Sequence, residues 1–330
     1  MNEKQYNPDL VFVRNNYDGN ILVKGLFSNN GKIDNVPLKS VWRWQVEGNP
    51  QKEEKKAEKK LFSLPFVQNP DIFKSTQNSV AWLGHASFFI RINGISILTD
   101  PCLENLPFLP RLVKKPCAYK DIINLDYILL SHGHRDHLDI KSLKNILKYN
   151  PKVKILTGLK IGTVLRKLRR ADYQEAGWWQ QFKIEHNEIK IIYLPARHWN
   201  RRGLRDYNKT LWGSFWIETP ETKIYFAGDT AYWDHCTEIR QYLGRPDLVF
   251  MPIGAYKPDF IMKYNHVNPD EAIQLFHQLG GRVFIPMHYG TYDLSNEPLS
   301  EPIRRIRTAH ENGDLKGDLW ELKVGELKTY

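Results

Sequence analysis

Cysteine is scarce in this chain: Cys102, Cys117 and Cys236 are the only three in 330 residues. An odd number without ligand-like spacing argues against a disulfide framework and a cysteine-ligated zinc module, and the three read as reduced thiols of a cytoplasmic protein. No apolar run approaches the roughly 20 residues of a bilayer-crossing helix. The start, Met1-Asn2-Glu3-Lys4, is not followed by the apolar core of a secretory leader. No internal sequence repeat is visible. What the chain does have is a hydrophobic content of 42%, enough to bury a sizeable core in one large α/β domain.

Histidine is concentrated in one place. Ser131, His132, Gly133, His134, Arg135, Asp136, His137, Leu138 and Asp139 follow the apolar run Tyr127 to Leu130. Neutral imidazole and carboxylate are the usual nitrogen and oxygen ligands of zinc and related divalent ions. A single catalytic ion takes about three protein ligands, so four candidates on one turn suggest two ions. A strand ending at Leu130 lets His132 and His134 point one way while Asp136 and His137 turn towards a second ion. Gly133 gives the backbone room for tight curvature.

Distant loops must converge to complete such a centre, and the chain supplies three. Ile191 to Leu194 runs into Pro195 and His198, Ile224 to Ala227 into Gly228 and Asp229, and Val283 to Ile285 into Pro286 and His288. Each is a short apolar run closed by glycine or proline and then a ligand type. His85 and Asp100 follow the same logic earlier in the chain. They fit hydrogen-bonding support of a ligand and plain structural burial equally well.

On these residues the chain resembles the metallo-β-lactamase superfamily, whose signature His-x-His-x-Asp-His stands at 132 to 137. Within it the likeness is to the N-acyl-phosphatidylethanolamine-hydrolysing phospholipase D branch. That likeness is carried by Trp82 to Ala86, Leu98 to Pro101, residues 131 to 139, Leu211 to Ser214, Phe226 to Thr230, Pro252 to Tyr256 and Met262 to Pro269. The resemblance implies an α/β fold of the αβ/βα four-layer sandwich type. It also implies a site of two Zn2+ ions, with iron or manganese as alternatives. His132, His134 and His198 would hold one ion, Asp136, His137 and His288 the other, and Asp229 would bridge them. A carboxylate can serve two ions, whereas an imidazole nitrogen has one lone pair. Two such ions lower the pKa of a shared water and polarise the group it attacks, so no serine or cysteine nucleophile is needed.

The implied reaction is hydrolysis of N-acyl-phosphatidylethanolamine to N-acylethanolamine and phosphatidic acid, with Asp136 and His266 as catalytic candidates. The alternative is another hydrolase of the same fold, acting on a lactone, a small ester or a nucleic-acid phosphodiester. Arg135 departs from the branch, which carries an aromatic residue at that position, and the first 77 residues match it poorly.

Residues 1–77 read as an amino-terminal extension packing on a catalytic domain of 78–330. Val41, Trp42, Arg43 and Trp44 are the expected anchor. The run from Gln51 to Lys60 reads as a solvated helix or linker whose charges largely balance, so nucleic acid is not an expected partner. Asn268, Pro269 and the acidic residues after them mark a helix start.

The net charge of +10 calls for an acidic partner. A phospholipid or other phosphodiester fits, as does a peripheral position on the inner membrane face; a homodimer is compatible with the chain. Leu159 to Arg170 is expected to form a basic helix with Ile161, Val164, Leu165 and Leu168 on one face, either suited to an anionic membrane surface or packed on the core with a solvated basic face. Arg197, Arg201, Arg202 and Arg205 are placed to steer a phosphate towards His198. The loop from Leu103 to Lys115, with Arg111, Lys114 and Lys115, is expected to touch lipid headgroups.

Overall fold

The structure is a computed structural model that describes residues 3–34, 37–168 and 171–330. Two mixed sheets carry it. The first has seven strands in the order Asp172–Ala176, Lys154–Gly158, Tyr127–Leu130, Ile95–Thr99, Ser87–Ile92, Ser79–Gly84 and Leu327–Thr329. The second has eight, in the order Asp318–Leu319, Val283–Met287, Leu248–Pro252, Lys223–Phe226, Ser214–Glu218, Lys190–Leu194, Gln180–Gln181 and Val11–Phe12.

Alternation along the strands sorts the apolar residues into layers. Val80, Trp82, Phe88 and Ile90 face the second sheet, where Phe88 meets Phe250 edge-on with ring centroids 4.7 Å apart. Their neighbours Ala81, Leu83 and Phe89 face outwards, onto Leu143, Ile146 and Leu147 of helix Ile140–Tyr149. On the far side of the second sheet lie Ile239 of helix His235–Leu243 and Ala272, Leu275 and Phe276 of helix Pro269–Leu279. Helix, sheet, sheet, helix is the four-layer sandwich.

Each sheet passes from antiparallel to parallel pairing. The change falls after Ile95–Thr99 in the first and after Lys223–Phe226 in the second. Ligand sites form beyond the carboxyl ends of strands at such a change. Asp100 and the 131–139 loop lie there in one sheet, Asp229 in the other. The two halves thus share a plan that no sequence repeat announces.

The helix starts follow their local signals. Asn268 Oδ1 accepts from the N–H groups of Asp270 and Glu271, both at 3.0 Å, and Glu271 returns a bond to the Asn268 N–H at 3.0 Å. This is a capping box with proline in the first turn. Asp139, the last residue of the histidine-rich loop, caps helix Ile140–Tyr149 through the N–H groups of Lys141 and Ser142. It is therefore spent on the helix.

The amino-terminal segment is tied in at several points. Val11–Phe12 pairs with Gln180–Gln181 at the edge of the second sheet, and Leu10, Leu22, Phe27 and Leu64 join the main core. Helix Lys52–Lys59 has no buried residue and is held by charge, Lys55 and Lys59 both pairing with Asp293. Trp42 and Trp44 are 65% and 45% exposed, so they are not the expected anchor; the Val41 side chain lies outside the described residues. Helix Leu38–Glu47 instead rests Arg43 over the Phe260 ring, 4.4 Å from its centroid.

One further expectation is corrected. The basic helix over 159–170 shrinks to one turn, Gly162–Leu165. Leu159 still bonds in register with Ala176, and Lys160 turns left-handed at φ 66° before the helix can start. Ile161, Leu165 and Leu168 are buried; Arg169 and Arg170 lie outside the described residues. In the 103–115 loop, Arg111 turns inwards. It donates to the Cys102 carbonyl at 2.8 Å, to the Val113 carbonyl at 2.9 Å and to that of Leu83. The exposed tip of the loop is Phe108. Among the described residues no helix is long and apolar enough to cross a membrane.

Candidate metal centre

Every proposed ligand sits just past a strand end, where the two sheets meet. Two glycines allow the loops to close up. A Cβ at Gly133 would lie 2.8 Å from the Asn200 side chain, so this glycine serves close approach. Gly228 has φ 60°, and a Cβ there would lie 2.7 Å from Ser131 Cβ, which is how the Asp229 turn reaches the histidine loop. Arg202 holds that loop from outside: Nη1 donates to the carbonyls of Gly133 and Leu138, both at 2.7 Å.

Two groups of donor atoms converge inside. His132 Nε2 lies 2.8 Å from His134 Nδ1, and His198 Nε2 lies 3.1 Å from the same atom. Asp229 Oδ2 is 3.8 Å from both His132 and His198. In the second group Asp136 Oδ2 is 3.6 Å from His137 Nε2 and 3.5 Å from His288 Nε2. Asp229 closes this group too, at 3.2 Å from His137 and 3.2 Å from His288. One buried carboxylate thus belongs to both.

The donor set fits a metal. A tetrahedral ion with bonds of about 2.0–2.1 Å has ligand atoms about 3.3 Å apart, and the second group spans 3.2 to 3.6 Å. His137 Nε2, His288 Nε2 and Asp229 Oδ1 are buried without any hydrogen-bond partner. Buried polar atoms are rarely left so, and several aimed at one point call for a cation.

The partners behind the rings fix which nitrogen faces inwards. His198 Nδ1 donates to the Asn265 carbonyl at 2.7 Å, leaving Nε2 bare. His132 Nδ1 is 2.9 Å from Ser131 Oγ, which bonds Asp100 Oδ2 at 2.5 Å; the same carboxylate oxygen accepts from His137 Nδ1 at 2.7 Å. Asp100, wholly buried, therefore orients one histidine in each group.

The charges make the same point. Burial pushes His132 and His198 well below the usual histidine range, and His134 to about 4. His137 and His288 go the other way. Burial opposes their charging, but Asp229 and Asp136 outweigh it and lift His288 to about 9. Without metal, two buried carboxylates are balanced by two imidazolium rings; divalent cations would take over that charge.

All seven ligand candidates come together: His132, His134, Asp136, His137, His198, Asp229 and His288. His266 stands beside them, its Nδ1 3.9 Å from Asp229 Oδ2. His85 falls inside the second group, with Nε2 3.0 Å from Asp136 Oδ2; its place after a strand was the signal. Spacing alone did not reveal Ser131, Asn265 or Arg202, which act through their neighbours. The arginines differ from expectation. Arg197 pairs with Asp34 through Nε at 2.9 Å and Nη2 at 3.1 Å, and Arg202 is bound to the loop carbonyls. Only Arg201 and Arg205 are left exposed, because the other two neutralise loop carbonyls and a carboxylate.

A four-layer sandwich with this ligand set defines a class, and the chain belongs to the metallo-β-lactamase superfamily: the family model described as Beta-lactamase superfamily domain matches residues 96–289. It is a metal-dependent hydrolase of that superfamily. Over 267 residues it is 33% identical to N-acyl-phosphatidylethanolamine-hydrolyzing phospholipase D 1 of Caenorhabditis elegans, covering 73% of this chain and 74% of that protein. The mitochondrial N-acyl-phosphatidylethanolamine-hydrolyzing phospholipase D of Saccharomyces cerevisiae is 32% identical, with 76% of this chain and 55% of that protein covered. Among solved structures, a metallo hydrolase from Ignicoccus hospitalis superposes with a TM-score of 0.62 at 20% identity, over 77% of this chain and 99% of its own.

Proposed function

We propose that the chain is a two-zinc phosphodiesterase of the phospholipase D type, releasing N-acylethanolamine and phosphatidic acid from N-acyl-phosphatidylethanolamine. The observation that carries this is Asp229, a single buried carboxylate shared by two three-residue ligand groups. When bound, a pair of divalent cations supplies an acidified water and a polarised phosphoryl oxygen.

The chain's own residues do the rest. His132, His134 and His198 hold one ion, Asp136, His137 and His288 the other. Asp100 and the Asn265 carbonyl accept from the outer nitrogens of His137 and His198, so that with metal bound the inward nitrogens would be the ones offered to it. His266 lies outside those two groups, clustering instead with Asp229 and His288, and burial pushes it down to about 4, so it is neutral at pH 7. A neutral imidazole there offers an N–H to a phosphoryl oxygen or to the departing alcohol.

Lipid as the substrate class rests on the worm and yeast relatives and on the surroundings. A groove of about 270 Å³, lined by apolar Trp44, Pro258, Ile261, Met262 and Leu294 and by polar Lys55, Lys257, Asp293, Ser295 and Asn296, adjoins helix Asp259–Met262, which leads to His266. Exposed Phe108 and Leu204, with Arg201 and Arg205, give an anionic bilayer something to hold.

The test is turnover by zinc-loaded protein of N-acyl-phosphatidylethanolamine, phosphatidylethanolamine, a lactone and RNA, with Asp229→Asn as control. Cleavage of N-acyl-phosphatidylethanolamine, lost in the control, is expected. Turnover of another substrate with neither phospholipid touched sinks the lipid assignment.

A further inference from the structure

His85 is a histidine too many for the two ligand groups. Asp136 Oδ2, His137 Nε2 and His288 Nε2 already stand 3.2 to 3.6 Å from one another or from the Asp229 carboxylate, whose Oδ2 faces His137 and Oδ1 faces His288. The His85 contact to Asp136 Oδ2 is shorter, at 3.0 Å, which is a hydrogen-bond distance. His85 is also 1% exposed, so it does not face substrate.

We infer that His85 is a positioning residue for the second ion: its Nε2–H donates to Asp136 Oδ2 and fixes the direction from which that carboxylate ligates. The inference rests on the reading of Asp136, His137 and His288 as one ion's ligands.

The backbone is compatible with this role without being peculiar to it, since twelve described non-glycine residues have positive φ. His85, Asp100 and His288 all have positive φ, at 57°, 34° and 63°. Left-handed backbone is unfavourable for a non-glycine residue, and it survives where the surroundings dictate it. The His85 main chain is clamped from three sides. The N–H donates to Thr291 Oγ1 at 2.7 Å, and the carbonyl accepts from Trp82 Nε1 at 2.9 Å and from the His288 N–H at 3.2 Å.

That last bond joins the end of Ser79–Gly84 in one sheet to the end of Val283–Met287 in the other. The His85 ring packs against His288, tilted by 42° with centroids 4.0 Å apart, and meets Tyr292 edge-on at 5.2 Å. One residue therefore bonds a ligand from the first sheet through its ring and a ligand from the second through its carbonyl. It sets the separation of Asp136 and His288 across the seam.

Two substitutions separate the roles. Asparagine tolerates left-handed backbone but is too short to reach Asp136; glutamine places an amide N–H near the position of Nε2. Metal-free wild type, His85→Asn and His85→Gln are titrated with zinc against a competing chelator. The thermal midpoint of each metal-free protein is recorded as a check of folding.

The expected result is two tight equivalents in wild type. In His85→Asn one equivalent stays unchanged and the other weakens 10- to 100-fold, the usual size of such a loss; in His85→Gln it recovers to within a few-fold of wild type. Unchanged affinity for both ions in His85→Asn overturns the inference. So does a His85→Gln protein no better than His85→Asn, which would make His85 a ligand. A wild-type protein that binds a single equivalent overturns the two-ion reading beneath it. No substrate enters the measurement, so failure of the lipid assignment would not be mistaken for failure of this one.

Discussion

Replacing Asp100 by asparagine should disable the centre without touching a ligand. The side chain keeps its shape, and Oδ1 can still accept from the Ser131 N–H, now 2.7 Å away. The other oxygen becomes an NH2 group facing two donors, His137 Nδ1–H at 2.7 Å and the Ser131 hydroxyl at 2.5 Å. Donor meets donor, and the cheapest relief is for His137 to move its proton from Nδ1 to Nε2. The inward nitrogen would then carry hydrogen in place of a lone pair. Loss of a hydrogen bond to a charged group costs about 1.5–3 kcal/mol. Tenfold in affinity is about 1.4 kcal/mol, so the second ion should bind about 10- to 100-fold more weakly, and activity at limiting zinc should fall in step. Metal content after dialysis against a graded chelator series reads this directly. Ser131→Ala is the milder companion, since it interrupts only the branch to His132, which runs through Ser131 Oγ. If Asp100→Asn holds both ions as tightly as wild type, the tautomer argument is wrong.

Metal uptake should release protons at pH 7. His288 is held protonated up to about 9 in the metal-free fold by Asp229 and Asp136 against the effect of burial, and a ligating imidazole must be neutral. Release measured in weak buffer should therefore be present below pH 9 and fade above it; uptake at pH 7 without proton release contradicts the charge assignment. The raised pKa also gives the metal-free protein stability that is complete below the unfolded histidine value and lost as pH rises through about 9. Arg202→Ala should cost about 1–3 kcal/mol in denaturant unfolding, because the buried carbonyls of Gly133 and Leu138 lose their donor. A change below 0.5 kcal/mol would show that water replaces the guanidinium.

Much of the centre could be read along the chain because its ligands share a local grammar. Residues 132 to 137 are close in sequence, and each remote ligand follows an apolar strand run, so His198, Asp229 and His288 could be picked out without coordinates. The capping box at Asn268 was equally plain, being a matter of four consecutive residues. The errors lie where a residue's partner is far away. Arg111, Arg197 and Arg202 looked like surface cations, and each is committed to a carbonyl or carboxylate from another segment. The basic helix at 159–170 had the right apolar spacing, but strand pairing with Ala176 carries the chain past Gly158 and delays the turn.

Sequence alone supplies the candidate ligand types and the strand ends that present them, because these depend on neighbours within a few positions. Tertiary structure alone decided which nitrogen of each ring faces inwards and that His85 reaches Asp136; it also brings Asp229 to both donor groups, as the resemblance implied. Those are relations between two sheets, set by hydrogen bonds such as His137 to Asp100 and His288 to His85 across 37 and 203 residues of chain. Periodicity along one strand carries no record of what lies opposite its end.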